Sequence, residues 1–165
     1  MQIGTLFGVI MILEFVVFYF LNIDPTSNPI AGKIMNTCNY LIFPNITIYL
    51  VCSNYKKSNY GYISFGECIK KGISACLIGG LVYVIFSVFF NYLFPEFVDD
   101  LLRKTKAVMI QNSPKMTSED IEMAMTWTKK FMNPMIMVPV TLLMFSFIGL
   151  IYSLIIGAII KKDKP

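Results

Sequence analysis

A carboxylate in the middle of a hydrocarbon stretch is the feature of this chain best able to do chemistry. Glu14 is the only charged side chain in the apolar run Ile3 to Leu21. An acid at that depth costs about 2.5 kcal/mol or more, so it should face other helices and hold a partner or a proton. Counting inward from the ends of the other apolar runs, Asn39 and Tyr40 fall at its level, with Asn36 about one turn further out and Tyr83, Ser87 and Ser146 on the remaining runs. The structural expectation is that Glu14 points into the bundle and bonds to Asn39 or Tyr40. The functional alternative is a proton or cation site, although a transporter usually carries more than one such acid and no second one is found.

Other reactive groups are sparse. The chain has no histidine, the commonest general base and metal ligand. Cys38, Cys52, Cys68 and Cys76 show no C-x-x-C spacing, so neither a disulfide nor a metal site is expected. With no nucleophile set beside a base, the chain reads as a non-enzyme without a cofactor.

The elements that must position Glu14 are long and apolar. Of the 165 residues, 56% are hydrophobic and 15% aromatic, and the mean hydropathy is +0.64, well beyond a soluble core. About 20 apolar residues cross a hydrocarbon layer, and such segments must be helical or close into a barrel. Four stretches qualify, 3–21, 34–52, 73–94 and 135–160, and none alternates as a barrel strand would. They predict an all-α, polytopic membrane protein of one domain over 1–165. Met1 to Leu21 lacks the basic start, short apolar core and small-residue cleavage site of a signal peptide, so it is expected to stay as the first helix. Pro44 should kink the second span beside Asn45, and Pro139 should bend the start of the fourth. Ser64 with Glu67 forms a capping box that starts the third helix at Phe65.

Short loops rich in lysine stay in the cytoplasm. Lys56, Lys57, Lys70 and Lys71 lie between the second and third spans, and Lys161, Lys162 and Lys164 lie at the C-terminus. Both termini are therefore expected to be cytoplasmic, with 95–133 on the other side. The net charge of +4 reflects this threading and gives no support to nucleic-acid binding.

Segment 95–133 reads as an extracytoplasmic helical hairpin. Phe97, Val98, Leu101, Leu102, Val108 and Met109 form one apolar stripe, and Ile121, Ala124, Met125, Thr128, Phe131 and Met132 form another, across the break Asn112-Ser113-Pro114. Thr117 with Asp120 suits an N-cap. In an antiparallel pair Arg103, Lys104 and Lys106 would face Glu119, Asp120 and Glu122, and Lys129 and Lys130 would approach Glu96 to Asp100; Lys115 carries a further charge of this segment. The hairpin either packs on itself or offers a partner surface at Leu101, Met125 and Trp127 with adaptable methionines. Small residues let helices approach: Gly149, Ser153 and Gly157 in the last span, Gly4 and Gly8 in the first. They suit packing within the bundle or pairing of two copies. The lipid bilayer is the expected surrounding; a protein partner or a homo-oligomer would use the hairpin or these small-residue faces.

Several segments carry a resemblance. Gly61-Tyr62-Ile63-Ser64-Phe65-Gly66 enters the third span, Pro95-Glu96-Phe97 leaves it, and Ser118-Glu119-Asp120-Ile121-Glu122 leads through Lys129-Lys130-Phe131-Met132-Asn133-Pro134 into the fourth. The chain resembles the domain-of-unknown-function family 4199 (DUF4199) over nearly its whole length. That resemblance implies a four-span protein of the bacterial inner membrane, and it brings no catalytic residues. The function expected is a non-enzymatic accessory or interaction subunit of a membrane complex, with a small transporter or channel centred on Glu14 as the rival.

Overall fold

The computed structural model describes residues 2–113 and 116–164; Met1, Pro114, Lys115 and Pro165 lie outside them. Among the described residues the chain is helical throughout, with one isolated bridge between Ile63 and Lys162. The order is α1 (Gln2–Phe20), α2 (Pro29–Thr37), a π turn (Cys38–Ile42), α3 (Phe43–Ser58), α4 (Phe65–Leu93), α5 (Pro95–Asn112), α6 (Ser118–Phe131) and α7 (Pro134–Ile160). Three of these, α1, α4 and α7, are long and apolar enough to cross a membrane.

The second predicted span, 34–52, is not one uninterrupted α-helix. Pro44 has no N–H to give to the carbonyl of Tyr40, and its ring crowds that carbonyl. The helix answers by widening into the π turn, in which the Phe43 N–H bonds five residues back to Cys38. The freed groups find other donors. The Tyr152 hydroxyl of α7 donates to the Tyr40 carbonyl at 3.0 Å, and the Asn45 amide donates to the Leu41 carbonyl at 2.7 Å. Because the ladder is re-satisfied, α2, the π turn and α3 run on as one helical stretch from Pro29 to Ser58.

Helix starts follow their side chains. Ser64 and Glu67 form the capping box that opens α4, and Thr117 with Asp120 forms another that opens α6. Asn28 and Asn133 cap α2 and α7 ahead of Pro29 and Pro134.

Apolar surface would gain little in lipid by meeting other apolar surface, and here close fit marks where the helices touch. Helix α4 is central, with α7, α1 and α3 against it. A Cβ on Gly4 would lie 2.7 Å from the Ala75 carbonyl oxygen, and one on Gly8 would lie 2.6 Å from that of Gly79. One on Gly149 would lie 3.0 Å from the Ile73 Cα, and one on Gly72 would meet the Ser153 hydroxyl. Backbones therefore approach where side chains are missing. Phe7, Met11, Ile48, Cys52, Cys76 and Phe145 fill the space between, with Phe7 edge-on to Phe145 at 5.7 Å.

The lysine-rich end is closed by a clasp. Ile63 and Lys162 exchange backbone hydrogen bonds of 3.0 and 2.9 Å, and the Lys56 ammonium donates to the last helical carbonyl of α7, at Ile160, over 2.7 Å. The Tyr55 hydroxyl donates to Glu67 at 2.8 Å, with Lys71 over the Tyr55 ring and Lys162 over that of Tyr62.

The charge pairing expected along the hairpin is not the one formed. Lys104 bonds Asp24 of the first loop at 3.1 Å and Asp100 at 2.6 Å, and Arg103 also turns to Asp100. Among the described residues no ion pair joins α5 to α6. Phe97 and Leu101 draw the start of α5 over the ends of α1 and α4, which brings Lys104 within reach of Asp24.

Candidate functional site

The predicted polar cluster contracts to a pair. The π turn aims Asn39 inward, and at 5% exposure it is the one buried residue of that turn. Its side chain lies beside that of Glu14. Glu14 Oε2 and Asn39 Oδ1 are nevertheless buried without partners, so two acceptors sit in one apolar site short of a donor. A proton on the carboxyl or a small cation would satisfy them. Tyr40 is half-exposed and offers its backbone carbonyl to Tyr152, with its ring 6.2 Å from Phe145. Asn36 is exposed, and Ser146 donates to its own helix at the Leu142 carbonyl over 2.7 Å. These three do not join the pair.

A larger feature lies at the end opposite the lysine clasp. A cavity of about 520 Å³ opens there among the end of α1, the first loop, α4, the start of α5 and the start of α7. An aromatic cluster walls it. Phe15 sits edge-on to Phe86, Phe90 and Phe97 at 5.8, 5.0 and 5.8 Å, and Tyr19 sits edge-on to Phe90 and Phe97 at 5.3 and 5.8 Å. The charged residues of its lining are Asp24, Asp100 and Lys104, and neutral polar groups come from Asn22, Ser87, Asn91 and Thr141.

Asp24 is held by its own loop. Its carboxylate accepts from the Thr26 N–H and the Ser27 hydroxyl, each at 2.9 Å, and from Lys104. Partial burial pushes this carboxyl up, but those donors and the lysine charge outweigh it and leave it below the ordinary carboxylate range. Lys104 and Arg103 hold Asp100 low as well, and the two carboxylates hold Lys104 up. Burial favours the neutral acid; the fixed donors decide the outcome.

The predicted partner surface divides. Leu101 lines the cavity, Met125 is half-buried, and Trp127 stands 54% exposed on α6. Positions two apart on a helix lie about 200° apart, so Met125 and Trp127 point to opposite sides. Trp127 shares its side with Met123 and Phe131, 61% and 50% exposed. Its ring lies 6.3 Å from that of Phe131 and carries the Lys130 ammonium at 4.7 Å. Ile121, on the inner side, is buried. Gly149, Ser153 and Gly157 lie buried on α7 and Gly4 and Gly8 on α1, against α4 in each case where a neighbour is seen.

Sequence reasoning did not find Asp24, Lys104 or the aromatic wall as parts of one site. Phe15 with Tyr19, and Phe86 with Phe90 and Phe94, recur every fourth residue. That spacing marks a stripe on one helix face but not that the stripes of α1, α4 and α5 meet. Among the described residues no three His, Cys, Asp or Glu side chains group to hold a metal.

Close-packed helices throughout, three of them long and apolar enough to cross a membrane, define an all-helical protein with the features of a membrane protein. The chain belongs to the DUF4199 family of proteins of unknown function, which it matches over residues 2–162. No curated protein and no solved structure matches it.

Proposed function

We propose that this chain is a four-crossing protein of the bacterial inner membrane that serves as a non-enzymatic interaction subunit, docking a partner through the outer side of α6. The observation that carries the reading is the exposed stripe Met123, Trp127 and Phe131, on the side of α6 away from buried Ile121. A contiguous apolar and aromatic patch outside the bundle suits a protein partner, with Trp as the anchor. The second crossing in this reading is the helical stretch Pro29–Ser58, long enough for about 30 Å of hydrocarbon despite its π turn. Its lysine-rich end faces the cytoplasm, which leaves α5 and α6 outside.

Two experiments test the two halves of this proposal. Single cysteines in place of exposed Lys57 and Lys106 should label oppositely in intact cells, Lys106→Cys from outside and Lys57→Cys only after permeabilisation. Labelling of both from one side overturns the topology. A photo-crosslinking amino acid at Trp127 should trap one heterologous protein in native membranes, and the adduct should disappear in Met123→Ser/Phe131→Ser. Adducts to lipid or to a second copy alone would overturn the subunit reading.

The rival reading, a small transporter, rests on the partnerless Glu14 and Asn39 oxygens. The cavity does not favour it, because its lining includes Phe15 and Phe18 but not Glu14, Asn39 or Asn45. Proton flux into liposomes that vanished in Glu14→Gln would restore it.

A further inference from the structure

The cavity at the outer end has a composition that selects among ligands. Its volume of about 520 Å³ lies in the range of about 300–1,000 Å³ of small-molecule sites. Phe15, Tyr19, Phe86, Phe90 and Phe97 bring three helices together there, so its body is aromatic and apolar. At its rim two carboxylates, Asp24 and Asp100, share one lysine, Lys104. The charged groups of the lining therefore carry a net −1. Arg103 touches Asp100 from outside, but its side chain is 79% exposed and is not part of the lining. An anionic head would meet two carboxylates and a lysine already spoken for. A cation would meet carboxylates and aromatic rings together, the combination by which aromatic sites recognise quaternary ammonium groups.

We propose that this cavity binds a lipophilic cation, its charge beside Asp24 and Asp100 and its hydrocarbon body among the aromatic rings of α1, α4 and α5. The same chemistry comes from two sources, the ammonium headgroup of a membrane lipid and a free hydrophobic cation. Lys104 is the built-in competitor for the site. It occupies the carboxylates in the empty cavity, and a ligand cation takes over part of its place.

The test uses two probes of one shape and opposite charge, tetraphenylphosphonium and tetraphenylborate, titrated onto the full-length protein in the uncharged detergent dodecyl maltoside. The phosphonium should bind about tenfold more tightly than the borate. Lys104→Met should raise phosphonium affinity by about tenfold, since both carboxylates lose the lysine they share, and a gain of binding does not arise from misfolding. Ser87→Trp, which fills the cavity, should abolish binding, while Leu143→Trp on the exposed side of α7 should leave it unchanged. Equal binding of the two probes, binding of neither, or phosphonium binding indifferent to both Lys104→Met and Ser87→Trp would overturn the proposal. With binding in hand, phosphatidylethanolamine added to the micelles separates the sources. Competition with the phosphonium identifies the lipid headgroup, and its absence identifies a free lipophilic cation.

Discussion

At the scale of single residues, the consequential charges are those outside the long apolar helices. Asp24 and Lys104 join the first loop to α5 over 3.1 Å, and both are shifted toward their charged forms. For a carboxyl held below its ordinary 3.8, the stabilisation is complete above that value and is lost as pH falls through the lower folded value. For a lysine held above 10.5, it is complete below that value and is lost as pH rises through the higher folded one. Amide exchange over Phe97–Lys104 should thus show constant protection from about pH 5 to 9 and loosening only below about pH 4. Lys104→Met should show the loosened pattern at pH 7. Protection that already declines between pH 7 and 5 would mean that another group holds α5. The need of Glu14 for a partner was legible from its place in an apolar run, and Asn39 was one of two residues named for it. That Tyr40, Asn36 and Ser146 would stand apart was not legible. Depth along a helix can be counted, but the π turn changes the rotation at which residues 38–42 leave the helix.

At the scale of elements, the proline-induced π turn carries its own test. If Tyr152 compensates for the N–H that Pro44 lacks, the two positions are energetically coupled. Tyr152→Phe should cost about 0.5–1.5 kcal/mol, one net hydrogen bond. In a Pro44→Ala background, where an N–H is restored to the Tyr40 carbonyl, the same change should cost close to nothing. Reversible unfolding in mixed micelles measures all four corners of this cycle, and equal losses in both backgrounds would show that the Tyr152 bond is incidental. The capping boxes at Ser64 and Thr117 were readable because a cap is a local bargain between residues three apart. The pair between Asp24 and Lys104 was not, because the placement of α5 depends on where Phe97 and Leu101 pack, a contact with helices distant in sequence.

At the scale of the whole molecule, the apolar helices approach one another closely at glycines. Gly8→Leu should therefore lower stability in detergent by about 1–3 kcal/mol, because a side chain cannot enter 2.6 Å from the Gly79 carbonyl without parting α1 from α4. Gly66→Leu, with nothing within 4 Å of its Cβ direction, should be close to neutral. Similar thermal midpoints for the two variants would refute glycine-mediated packing. Composition and run length alone determined the helical class, three of the apolar helices, the lysine-rich end and two amphipathic helices between α4 and α7, because insulation by lipid makes hydrogen bonding local and length decisive. Only the tertiary structure decided that the second apolar run is a jointed helix, that Lys104 of α5 pairs with Asp24 of the first loop, and that aromatic stripes from three helices enclose one charged-rimmed cavity. Those outcomes depend on the rotation and approach of helices remote in sequence, which no local pattern encodes.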